Sequence, residues 1–66
     1  MDRREYLERL VLGLEEGIAR TRYELPYYKP GEIEGRYAQK FLKAMEEQLA
    51  AAREELARLQ PPGQQG

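Results

Sequence analysis

The glutamates are the first residues to test for chemistry. The chain holds eleven of them, and three pairs are adjacent: Glu15-Glu16, Glu46-Glu47 and Glu54-Glu55. Two carboxylates in different environments can divide acid and base roles, but these pairs mostly fall at outer helical positions, where solvation is the usual fate. Nucleophilic catalysis has little to work with. Serine, cysteine and histidine are absent, and the only hydroxyls are Thr21 and five tyrosines. Missing cysteine removes disulfides and thiolate metal sites, and missing histidine removes the commonest transition-metal ligand and the neutral-pH proton shuttle. Glu15 and Glu46 flank an apolar seam, and their expected role is pairing with Arg22 and Arg53 of neighbours rather than holding Ca²⁺ or Mg²⁺. No catalytic residue, cofactor site or metal site is assigned, and the chain is read as a non-enzyme.

The second group is the stretch ELPYYKPGEIEGRY, residues 24–37, with two prolines, two glycines and three tyrosines. Its glycines have neither Walker nor dinucleotide spacing. Lys29 and Arg36 lie near the expected start of a helix, where an anion would be favoured, but Glu32 and Glu34 oppose it. Tyr23, Tyr27, Tyr28 and Tyr37 surround the stretch. They are expected to plug the open end of a helical bundle, with hydroxyls reaching water. As a recognition surface, rigid loop tyrosines offer contact area at low entropy cost. Tyr27, Tyr28, Lys29 and Arg36 are the candidate partner-binding residues.

The elements that position these groups are helices. Leu7, Val11, Leu14, Ile18, Thr21 and Leu25 recur at alternating spacings of four and three. So do Ala38, Leu42, Met45, Leu49, Ala52, Leu56 and Leu59. Each set is the seam of a helix lying along another helix. Asp2 can cap the first helix, about residues 2–25, and Pro26 disfavours helix at Leu25. The connector covers 26–34, with a turn at Pro30-Gly31. The second helix covers about 35–60, and Pro61-Pro62 stop it. Residues 61–66 are expected to be a disordered tail. The fold class is all-α: residues 1–60 form one antiparallel two-helix hairpin. Ile18 should sit beside Leu42, Leu14 near Met45, Val11 beside Leu49 and Leu7 near Ala52, while Arg4 meets Leu56.

A second stripe runs beside each seam: Tyr6, Leu10, Gly13 and Gly17 on the first helix, and Tyr37, Phe41, Ala44, Gln48 and Ala51 on the second. One partner helix cannot cover a stripe that wide. The hairpin is therefore expected to dimerise into a four-helix bundle, with Leu7, Leu10, Val11, Leu14, Ile18, Phe41, Leu42, Met45, Leu49 and Leu56 as core and interface. Gly13 and Gly17 cost helix stability, roughly 1 kcal/mol each against alanine, so close backbone approach is expected there.

Composition sets the remaining limits. Eleven basic and twelve acidic residues are interspersed, for a net charge of −1, as on solvated helix faces. Clustered positive charge for nucleic acid is missing. Dimeric helical hairpins are also the layout of small RNA-binding regulators of plasmid copy number, an analogy of fold alone. In that alternative reading, a small RNA- or DNA-binding regulator, Arg3, Arg4, Arg9, Arg20 and Arg22 would contact phosphates. No apolar run spans a bilayer, and MDRREYLERL lacks the apolar core of a signal peptide, so a cytoplasmic protein is expected. Abundant Glu, Arg, Leu and Ala without Cys, Ser or Asn resembles thermophile composition, which genome base composition can also produce. The function expected is protein–protein interaction, regulatory or adaptor in kind, by a self-associating homo-oligomer, preferably a dimer.

Overall fold

The computed structural model of the chain describes residues 2–59. Two long helices account for most of them: α1, Arg3–Glu24, and α2, Ile33–Leu59. A short 3₁₀ turn, Leu25–Tyr27, follows α1. Asp2 caps α1 in extended backbone, and its side chain accepts a hydrogen bond from the Glu5 amide at 2.8 Å. This satisfies one of the amide donors that a helix start leaves unpaired. Glu5 in the first turn and Arg22 in the last both complement the helix dipole.

The α-helix ends at Glu24, within a residue of the expected end near Leu25. Leu25 stays in the right-handed helical region, and its amide bonds to the Thr21 carbonyl. The chain tightens into the 3₁₀ turn, with proline at a first-turn position whose amide would have no partner anyway. The exit comes at Tyr28, which is extended and donates its amide to the Leu25 carbonyl. A turn then spans Lys29 to Glu32, closed by the Glu32 amide on the Lys29 carbonyl at 3.1 Å. Pro30 takes its second position and Gly31 its third, with φ of +86°, as a type II turn requires. The Glu32 carboxylate reaches back to the Lys29 amide at 2.6 Å and braces the turn. Helix α2 starts at Ile33, inside the range Glu32 to Gly35 open to its first residue, which makes Ile33 an exposed helix residue rather than a connector residue. Gly31→Ala should lower the melting temperature by several degrees, because a side chain at positive φ costs on the order of 1 kcal/mol. Differential scanning calorimetry checks this; an unchanged melt would show that the turn is not ordered as described.

The helices run antiparallel. Arg3 near the start of α1 meets Glu55 near the end of α2, and Arg22 near the end of α1 meets Glu46. Between them lies a thin core. Leu14, Ile18, Met45 and Leu49 form one buried cluster, with Leu10, Val11 and Leu42 half-buried against it. Leu7, only 2% exposed, and Ala52 extend it toward the termini, and Thr21 closes it toward the connector. All of these are expected seam residues except Leu10, which belongs to the second stripe. Leu56 is half-buried, beside the polar end of the seam. Phe41 is not part of the hairpin core: it is 61% exposed, because its position lies outside the line of closest helix approach. The two glycines separate. A β-carbon at Gly17 would come within 2.9 Å of the Met45 sulfur, whereas one at Gly13 would meet nothing within 4 Å. Gly17 thus lies against a flexible side chain rather than another backbone, and neither glycine shows the close backbone approach expected for it. The residues of the expected tail, 61–66, lie outside those described.

Candidate functional site

The two long flanks of the hairpin differ sharply. On one, here the bridged flank, Arg22 pairs with Glu46 and Arg53 with Glu15 across the helices. These ion pairs roof a recess between the helices lined by Ile18, Ala19, Leu49 and Ala50. Glu15 and Glu46 thereby take the expected role of charged flank residues, within a single chain. Exposed ion pairs contribute only about 0–1 kcal/mol each, so they orient the surface more than they stabilise it. Leu12 stands alone near this side as an ordinary isolated surface apolar residue.

The other flank, here the bare flank, has no such pair along its middle and one, Arg3–Glu55, at its terminal end. Its middle carries Tyr6, Leu10, Gly13 and Gly17 from α1 and Tyr37, Phe41, Ala44, Gln48 and Ala51 from α2, with no charged residue among them. Helical periodicity places all nine on one side. Toward the connector the flank opens into a groove of about 800 Å³, lined by Gly17, Thr21, Tyr28, Tyr37, Ala38 and Phe41 with Arg20, Glu24, Glu34 and Lys40 at its rim. Toward the termini lies a smaller recess of about 320 Å³, walled by Tyr6, Leu10, Gln48 and Ala51 above Leu7 and Ala52. Tyr37 and Phe41, at the groove, stand out as largely exposed rings. The terminal end is closed by Arg3, whose guanidinium makes two hydrogen bonds to Glu55, at 2.7 and 3.0 Å, and lies 5.3 Å from the centre of the Tyr6 ring. The hydrogen bond from Arg3 holds the Glu55 carboxyl below its ordinary value, against a smaller opposing effect of desolvation. A depressed carboxyl pKa stabilises the fold above the unfolded-state value, and this contribution disappears as pH falls through the folded-state value.

The connector departs from the expected aromatic plug. Tyr23, Tyr27 and Tyr37 are exposed, Tyr27 by 74%, so their rings do not cap the hairpin. Tyr23 and Tyr27 instead pack on each other at the surface, with centroids 5.7 Å apart. Only Tyr28 turns inward, against Gly35. A β-carbon at Gly35 would lie 3.1 Å from that of Tyr28, so the glycine permits this contact. Of the four proposed partner-binding residues, Tyr28, Lys29 and Arg36 share one small recess beside the Pro30-Gly31 turn, and Tyr27 lies outside it. Glu32 lines the same recess and has already taken the Lys29 amide, which weakens the site for anions. Tyr27→Ala with Tyr28→Ala should cost about 1–3 kcal/mol, nearly all of it from Tyr28, and leave the association state unchanged. Loss of association in that variant, read as solution mass, would move the interface to the connector.

Four of the five arginines named for phosphate contacts already face a carboxylate in the chain: Arg3 with Glu55, Arg4 with Glu8, Arg9 with Glu5 and Arg22 with Glu46. Among the described residues no group of three or more acidic side chains is placed to hold a metal ion, and no helix is long and apolar enough to cross a membrane. Comparison with protein-family models, curated proteins and solved structures finds no match to this chain.

The bare flank was visible in sequence as the second stripe. Its confinement to one side was not, because spacing alone does not tell which neighbours a long arginine reaches.

Proposed function

We propose that the chain is a non-catalytic interaction module whose first act is self-association: two hairpins join through their bare flanks into a four-helix bundle. The observation that carries this reading is the asymmetry of the flanks. Two ion pairs bridge the helices along one side, while on the other the cross-helix pair Arg3–Glu55 lies at the terminal end, Arg20, Glu24, Glu34 and Lys40 rim the groove, and nine uncharged residues run along the middle. Contiguous apolar surface rimmed by polar groups marks an interaction site.

Stability argues the same way. Six hydrophobic residues are buried among those described. A chain of this size with a single small core rarely gains more than about 3–5 kcal/mol from it, and disulfides are unavailable. Burying Tyr6, Tyr37 and Phe41 between copies would add the missing apolar area. A rival reading, a regulator that grips a nucleic-acid backbone, draws no support from arginines already engaged by glutamates, and salt-insensitive passage over a polyanion column is the expected result.

Light scattering across a dilution series tests the proposal. The expected mass at high concentration is at least twice the 7.7 kDa of one chain, falling on dilution. A folded chain of 7.7 kDa at every concentration would overturn it, and would turn the bare flank into a surface for a different protein.

A further inference from the structure

We infer that the second copy docks loop-to-termini across the bare flank, so that Phe41 of each hairpin enters the recess between Tyr6, Leu10 and Gln48 of the other. This rests on the self-association reading above and specifies its geometry. The bare flank carries both a knob and a hole. Phe41 is 61% exposed and stands at the level of Gly17, since both line the groove near the connector. The recess lies at the level of Leu10 and Gln48. The midpoint between these levels falls beside Gly13.

A two-fold axis through that midpoint, perpendicular to the helices, superimposes the knob of one copy on the hole of the other, twice over. Such a contact is self-complementary by symmetry and closes at two copies. It also gives Gly13 a reason. No atom of its own chain lies near the place of its missing β-carbon, and on the axis that bare backbone would face its own copy.

Area and charge agree with this partner. Helix α1 is about 33 Å long at 1.5 Å per residue, and the hairpin is 19 Å across. One face therefore projects roughly 600 Å², close to the order of 800 Å² of accessible surface that a stable interface removes from each partner. At the connector end the groove rim carries Arg20 and Lys40 beside two carboxylates, Glu24 and Glu34, with no ion pair to any of the four among the described residues. Loop-to-termini docking carries them toward the partner copy at the level of its first turn, where the Arg3 guanidinium retains donors beyond the two it gives Glu55. Docking the hairpins parallel would instead gather the Arg20, Glu24, Glu34 and Lys40 rims of both copies at one end, set Phe41 against the partner's α1 and leave both recesses empty.

The test uses the full chain, which has no cysteine of its own. A nitroxide on Lys29→Cys marks the connector. Loop-to-termini docking separates two such labels by about 40 Å, and parallel docking brings them within about 25 Å, from helix length alone. Double electron–electron resonance on a dimer confirmed by light scattering should give the long distance. Separately, Gln48→Trp fills the recess and should weaken dimerisation about ten-fold or more, as Phe41→Ala does, with helicity retained in both because each position is exposed in the single chain. A dimer with the short distance, or one tightened by Gln48→Trp, overturns this geometry and leaves self-association standing. A monomeric mass for the labelled and unlabelled chain overturns both.

Discussion

Leu14→Glu and Leu49→Glu should each abolish the fold and the association together. Both side chains belong to the one buried cluster and are less than a tenth exposed. Removing a buried leucine from a well-packed site costs about 2–5 kcal/mol before the incoming carboxylate is considered. Burying that carboxylate unpaired adds several kcal/mol more, or forces the helices apart to hydrate it. A core of this size offers no reserve to absorb both terms. Circular dichroism should show lost helix at room temperature, and light scattering should show no discrete oligomer. Leu12→Glu is the control, since Leu12 is 62% exposed, and surface changes of that kind stay within about 0.5 kcal/mol. A helical, cooperatively melting Leu14→Glu chain would contradict the core described here.

Ala44→Glu should separate folding from association. Ala44 is exposed in the single hairpin and lies in the uncharged middle of the bare flank. A glutamate there has excellent helix propensity and open solvent around it in the monomer, so the hairpin should keep its helicity. In the dimer the same side chain would sit near the two-fold axis and meet its own copy. An unpaired charge buried in an interface costs about 3–5 kcal/mol, which weakens association by roughly two to four orders of magnitude. Ala50→Glu makes the same chemical change on the bridged flank and should leave the mass as it is. The contrast between Ala44 and Ala50 is the informative quantity, measured as dissociation constants by sedimentation. Equal effects of the two substitutions would mean that the flanks do not differ in function.

Much of the hairpin was legible in the sequence, and the failures have physical causes. Alternating spacings of four and three located Leu7, Leu14, Ile18, Met45 and Leu49 correctly, because a seam with that period can face only one partner. The connector was harder. The rule that proline disfavours helix before it is steric and statistical, and at Leu25 the 3₁₀ turn meets the steric demand without leaving helical geometry. That turn also sets where the tyrosines point. Sequence supplies no direction for Tyr27 once the chain has turned, so an inward plug and an outward pair with Tyr23 read alike. Glycines 13 and 17 have the same residue type one turn apart, yet only Gly17 lies against Met45; the difference is a few tens of degrees around the helix. Phe41 could be placed on a second stripe but not assigned to core or surface, since a single chain's apolar residue looks the same whether its cover is intramolecular or comes from another copy.

The bare flank, and neither the bridged flank nor the tyrosine connector, is the surface proposed to meet the partner. Hydroxyl-radical footprinting reads it directly, because the reactive aromatic rings are already distributed between these surfaces. Tyr6, Tyr37 and Phe41 lie on the bare flank, and Tyr23 and Tyr27 on the connector side. On raising concentration from the monomeric to the associated range, oxidation of Tyr6, Tyr37 and Phe41 should fall several-fold while that of Tyr23 and Tyr27 stays constant. Protection of Tyr23 and Tyr27 with Phe41 still oxidised at its dilute-solution rate would contradict the claim and place the interface at the connector.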